Sequence, residues 1–121
     1  MFALHQLRVP VTDAARAEGF WTALLGRGPE GTAAHGGLRY HVDGLELVLV
    51  PAGAEGTGAP APGSGGPLGF RLSHDDLDAV LARLPDGAGA AIRTHADGTR
   101  HLEARDPEGN LVRVDWRMPE R

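Results

Sequence analysis

Apolar and polar residues alternate from the start of the chain. Leu7, Val9 and Val11 are apolar and Gln6, Arg8 and Pro10 fall between them, which predicts a strand over residues 4–11. The period then lengthens. Ala14, Ala17, Trp21, Leu24 and Leu25 recur at helical spacing, with Thr12 or Asp13 as N-cap and Gly26 as the stop. A Gly-rich stretch with a short strand around 30–34 comes next. Strands over Leu38–Val42 and 45–50 then flank Asp43-Gly44, a dipeptide that two-residue hairpin turns favour.

Residues 52–66 are almost wholly Ala, Gly, Pro, Ser and Thr, a composition that cannot bury enough apolar surface to order itself, so they read as a linker. Beyond them the order of elements repeats. Leu68, Phe70 and Leu72 alternate with Gly69, Arg71 and Ser73. Asp75 or Asp76 can cap a helix carrying Leu77, Val80, Leu81 and Leu84 on one stripe, which Pro85 and Gly87 end. Strands near 90–94, over 99–105 and over Leu111–Trp116 complete the second half, the last two joined by Asp106-Pro107-Glu108-Gly109-Asn110. Each half therefore reads strand, helix, three strands, offset by about 63 residues, the signature of an internal duplication.

Composition narrows the class. At 121 residues the chain makes one domain (1–121), with module one at 1–51, the linker at 52–66 and module two at 67–117. A net charge of −4 leaves no electrostatic footprint for nucleic acid or an anionic membrane. The absence of Cys excludes disulfides, thiolate metal sites and thiol nucleophiles. The first residues lack a basic stretch followed by an apolar run, and no apolar segment is long enough to cross a bilayer, so the protein is expected in the cytoplasm.

Strand parity separates two sets of side chains, because helices pack only on the apolar face of a sheet. Leu7, Val9, Leu38, Tyr40, Val42, Leu45, Leu47, Leu49, Leu68, Phe70, Leu72, Leu102, Ala104, Val112 and Val114 should lie beneath the helices. The opposite face carries Gln6, Arg8, Arg39, His41, Glu46, Val48, Gly69, Arg71, Ser73, His101, Glu103, Arg113 and Asp115. Simple hairpin pairing sets His41 opposite Glu46, Glu103 opposite Arg113 and His101 opposite Asp115. Such pairs contribute only about 0.2–1 kcal/mol each, so one account is a solvated face laced with weak ion pairs. The other is that both halves bend this face into a shared cup that takes a ligand.

The segments Arg8-Val9-Pro10-Val11-Thr12-Asp13, Gly19-Phe20-Trp21 with Leu24-Leu25-Gly26, Asp75 to Val80, and Asp106-Pro107-Glu108-Gly109-Asn110 closely resemble the vicinal oxygen chelate superfamily. That group includes glyoxalase I, extradiol dioxygenases, fosfomycin-resistance enzymes and bleomycin-binding proteins. The resemblance implies an α+β fold of two tandem βαβββ modules, a curved mixed sheet around a cup with helices outside, and a homodimer. It leaves activity open, because the fold hosts many chemistries.

Enzymes of that superfamily commonly hold a divalent metal with His, Gln or Glu from the first and last strands of each module. Carried over singly, those places fall on Gln6, on Val48 (or Glu46 with a slip of two), on Gly69 (or Pro67) and on Arg113, where metal-binding members carry Glu. Guanidinium has no lone pair to give, so no metal is expected; were one bound, Gln6 and Glu46 would be its ligands. The resulting expectation is a metal-free protein that binds a small molecule. Its cup comprises Gln6, Arg8, Arg39, His41, Glu46, Arg71, His101, Glu103, Arg113 and Asp115. The alternatives are a lyase, isomerase or dioxygenase with a rearranged ligand set, or an acid–base catalyst using Glu103 and His101.

Overall fold

The structure, a computed structural model, describes residues 2–32, 37–51 and 68–118. Module one runs β1 (Gln6–Val11), α1 (Ala14–Leu25), β2 (Gly31–Thr32), β3 (Leu38–Val42) and β4 (Leu45–Pro51). Module two runs β5 (Gly69–His74), α2 (Leu77–Arg83), β6 (Ala91–Thr94), β7 (Arg100–Arg105) and β8 (Leu111–Trp116), with a 3-10 turn at Asp86–Ala88. The fold is α+β, and the expected tandem βαβββ order is present. Its strands form two four-stranded mixed sheets, β1-β4-β3-β2 and β5-β8-β7-β6, and no closed barrel. The first strand of each module lies parallel to its last, and the other pairs are antiparallel.

Local chemistry explains the boundaries. Asp13 caps α1 by accepting from the Arg16 amide, and Gly26 ends it at φ 77°, a left-handed conformation that costs Gly nothing. Asp43 and Gly44, at φ 48° and 82°, both sit at the positive φ that a two-residue hairpin requires. β1 starts at Gln6 rather than residue 4, since its first ladder partner is Glu46 near the start of β4. Asp76 caps α2, which closes at Leu84 in extended backbone because Pro85 follows. The linker 52–66, Pro67 and the far end of the strand expected around 30–34 lie outside the described residues.

A single core cluster contains Val9, Trp21, Tyr40, Leu49, Leu77, Leu102 and Val112, so it draws on both modules. Trp21 bridges them, meeting Phe20 edge-on at 5.4 Å and Phe70 at 5.1 Å. Arg83 on α2 donates to the Ala23 and Leu24 carbonyls at 2.9 and 3.2 Å, satisfying groups that the end of α1 leaves open. In the 106–110 turn, buried Asp106 takes the Glu108 and Asn110 amides on Oδ1, freeing Glu108 to reach across. Its Oε1 accepts from the Thr12 amide at 2.6 Å and the Thr12 hydroxyl at 2.8 Å.

Parity assigns the core face well, with three exceptions, one of them the buried His101 of the polar face. Leu68 is 42% exposed because it precedes the first rung of the β5 ladder. Val48 is 3% exposed although it lies on the polar side; it sits on a central strand between Arg8 and Arg39.

Candidate functional site

The face of module two away from α2 is a grid of charges. One row runs Arg71, Arg113, Glu103 and Ala91 across β5, β8, β7 and β6. The next runs Ser73, Asp115, His101 and Arg93. Charged tips reach diagonally between the rows. Asp115 accepts from Arg71 Nε at 2.6 Å and Arg113 Nε at 2.9 Å, and Arg71 first, then Arg113, holds its carboxyl below the ordinary range. Glu103 accepts from His101 Nε2 at 2.9 Å and from Arg93 Nε at 3.2 Å; these bonds, His101's foremost, likewise lower its pKa.

His101 is the buried member of this grid, only 3% exposed. A carboxylate only accepts, so the Nε2 facing Glu103 carries the proton. His101 Nδ1 and His95 Nε2 share a hydrogen bond of 2.7 Å, in which Nδ1 is the acceptor whenever the His101 ring is neutral. The rings lie within 22° of parallel with centroids 4.8 Å apart, and the short N–N distance places them edge to edge. Glu103, His101 and His95 thus form a hydrogen-bonded chain from a carboxylate to an exposed imidazole. Sequence reasoning missed His95 and Arg93. The signal was present, since both alternate with Ile92 and Thr94, but the register of β6 was needed to use it.

On module one, Arg8 Nε donates to Gln6 Oε1 at 2.8 Å and Gln6 Nε2 donates to Glu46 Oε1 at 2.9 Å. His41 is registered with Glu46, as expected, yet its Nε2 lies 3.3 Å from Glu30, a partner the sequence did not suggest. Arg39 is half-buried, and its Nε has no hydrogen-bond partner among the described residues.

The ten predicted cup residues therefore divide into a module-one group and a module-two group, with no hydrogen bond or ion pair joining the groups among the described residues. Of the ten, Gln6, Arg8, His41 and Arg71 are exposed, His101 is buried and the other five are half-buried. A separate hollow of about 200 Å³ lies at the seam of the modules over Leu24, Leu72, Val80 and Val114, and of the ten only His41 lines it.

The sequence profile of the Glyoxalase/Bleomycin resistance protein/Dioxygenase superfamily matches residues 3–114. The chain belongs to this superfamily. It is similar in structure to a glyoxalase/bleomycin resistance protein from Catenulispora acidiphila, at 26% identity and a TM-score of 0.71, covering 95% of this chain and 99% of that one. An antibiotic binding protein from a Streptomyces strain aligns at 26% identity and TM-score 0.62, covering 96% of both chains. A lactoylglutathione lyase from Agrobacterium tumefaciens, 21% identical with a TM-score of 0.67 over 94% of this chain and 92% of that one, shares the fold. A search of curated proteins finds no match.

The superfamily implies a divalent metal, and the residues present do not fit one. At the four ligand places, Val48 is a buried hydrocarbon, Gly69 has no side chain and Arg113 is a cation turned onto Asp115. The Gln6 oxygen already accepts from Arg8, and Glu46 from Gln6. Among the described residues no three His, Asp or Glu side chains gather as a metal site. No helix among them is long and apolar enough to cross a membrane.

Proposed function

We propose that this superfamily member binds a small molecule on the polar faces of its sheets without a divalent metal. The observation that carries the reading is Arg113: a guanidinium, anchored to Asp115 at 2.9 Å, occupies the place where the resemblance puts a coordinating carboxylate. With Val48 and Gly69 at two further places, at most Gln6 and Glu46 remain as donors, too few for a site of ordinary affinity. The similarity to an antibiotic binding protein supports binding as the activity. A dimer would let two such faces enclose the ligand between them.

The experiment is metal analysis of the purified protein, with thermal unfolding in Ni²⁺, Zn²⁺, Mn²⁺ and Fe²⁺. No bound metal and no saturable shift are expected. A stoichiometric metal, or stabilisation saturating at micromolar metal, overturns the reading. A panel of aromatic and glycopeptide antibiotics, screened by the same unfolding assay, identifies the ligand class.

The Glu103–His101–His95 chain favours a second reading, an acid–base catalyst. Glu103 accepts from the buried His101, and when both rings are neutral this order of bonds leaves Nδ1 of the exposed His95 as an acceptor for a substrate proton.

A further inference from the structure

Two guanidiniums on neighbouring strands share one carboxylate, and both reach it through the same nitrogen. Arg71 Nε meets Asp115 Oδ2 at 2.6 Å and Arg113 Nε meets Oδ1 at 2.9 Å. The ladder registers Arg71 directly beside Arg113. Because Nε is used for anchoring, the terminal nitrogens of both residues have no protein partner among the described residues. Asp115 is 26% exposed, Arg113 38% and Arg71 72%, so the anchor is sheltered while the terminal nitrogens are not.

Folding alone does not explain the second arginine. Like charges directly opposite each other in a ladder are destabilising, and one carboxylate neutralises only one of the two cations. The pattern recurs across the face, where Arg93 anchors to Glu103 through Nε at 3.2 Å. Three arginines thus face two carboxylates in a chain whose net charge is −4. The face therefore carries an excess of one positive charge.

We propose that Arg71 and Arg113, oriented by Asp115, form an oxyanion clamp that takes a carboxylate or phosphate-type group of the ligand. The proposal rests on the binding reading above and adds the ligand's chemistry to it. A guanidinium offers its donors in a rigid plane that matches the oxygens of a carboxylate or phosphate two at a time. Asp115 is the positioning residue. By holding both planes before the ligand arrives, it lowers the ordering cost of binding. Ser73, exposed and registered with Asp115, adds a hydroxyl at the edge of the clamp.

The test is a titration of the full chain at low salt, followed by NMR on arginine Nε–H signals. Its probes are benzoate, phenylphosphonate and the neutral benzamide. Both anions should saturate and shift the Arg71 and Arg113 signals, with benzamide much weaker; the tighter anion names the head group. Arg71→Gln and Arg113→Gln should each weaken anion binding roughly tenfold, the size expected for a partly exposed charged hydrogen bond. Arg71→Lys keeps the charge but loses the planar fork and should not restore affinity. Arg100→Gln, which removes a charge on the other face of β7 where Arg100 pairs with Asp78, should leave binding unchanged.

The clamp is overturned if benzamide binds as well as benzoate, if the lysine variant keeps full affinity, or if Arg100→Gln weakens binding as much as the clamp variants do. Failure on any of these counts with the metal analysis blank removes the clamp alone. A stoichiometric metal removes the reading beneath it.

Discussion

Replacing Asp115 by Asn keeps the shape of the side chain and changes what it can accept. The amide oxygen still receives one Nε–H, but the new NH₂ faces the other arginine donor to donor, so one guanidinium is released. Charged hydrogen bonds contribute about 1.5–3 kcal/mol when buried and about 0.2–1 kcal/mol as exposed pairs. The Arg71 arm, 72% exposed, belongs at the bottom of that range, and the Arg113 arm, 38% exposed, nearer 1 kcal/mol. Repulsion between the two arginines, no longer offset, adds about 0.5 kcal/mol across a wet surface. With one arm lost and the repulsion added, Asp115→Asn should lose about 1 kcal/mol in urea unfolding at neutral pH and low salt.

Salt and pH make the attribution specific. Raising ionic strength from 0.1 to 1 M shortens the screening length from about 10 to about 3 Å, so salt should return part of the variant's loss while leaving the wild type level or slightly weaker. The Asp115 carboxyl titrates below its ordinary value, chiefly through Arg71. Its contribution is then complete above the unfolded pKa, near 3.8, and is lost as pH falls through the lower folded pKa. The gap between wild type and variant should be full at pH 7 and should close in acid below pH 4. A loss under about 0.5 kcal/mol, or a variant that salt destabilises further, refutes the argument.

Two other predictions follow from buried groups. Glu103→Ala removes the acceptor that fixes the His101 tautomer, so imidazole ¹⁵N shifts should show a protonated Nε2 in the wild type and a tautomer mixture in the variant; an unchanged tautomer disposes of the acid–base reading. Trp21 is 1% exposed and its Nε1–H has no partner among the described residues. Trp21→Phe leaves a cavity costing roughly 1 kcal/mol but removes an orphaned donor worth about 1–3, so stability should change by less than about 1 kcal/mol. Trp21→Leu also loses the aromatic edge contact with Phe70 and should cost about 2–4 kcal/mol. Equal losses in the two variants would refute this weighing.

The fold was legible because its signals are local. Caps at Asp13 and Asp76, the Gly26 stop and the Asp43-Gly44 turn each act within a few residues, and the three hairpin pairs expected from turn position all occur in the ladders. The side-chain partners were less legible. Register puts Glu103 opposite Arg113, but Glu103 bonds Arg93 and His101; it puts Asp115 opposite His101, but Asp115 bonds Arg71 and Arg113. Long charged side chains reach diagonal neighbours as readily as direct ones. The diagonals here come from β5 and β6, and the position of β5 beside β8 is a parallel pairing that no turn specifies. Hairpin geometry is written in the turn, whereas parallel neighbours are fixed only when the whole module packs.

The electrostatics of Arg113 connect the absent metal donors to the kind of ligand this face can take. A dication about 5 Å from a guanidinium is repelled by about 7 kcal/mol at the effective dielectric of a protein surface. A protein zinc site supplies about 10–16 kcal/mol in all, and that figure assumes a full set of donors, which Val48 and Gly69 deny. Arg71 adds a second cation beside Arg113 and Asp115 offsets one of the two, so the net penalty stays near that of one guanidinium. Toward an anion the same pair acts with the opposite sign: repulsion of a dication becomes attraction, and Asp115, which offsets part of the mutual repulsion, uses only their Nε positions. A metal and the arginine pair are therefore competing occupants of one surface. Binding of a carboxylate or phosphonate should strengthen as salt falls and should be abolished, with the sign of the face, by Arg113→Glu.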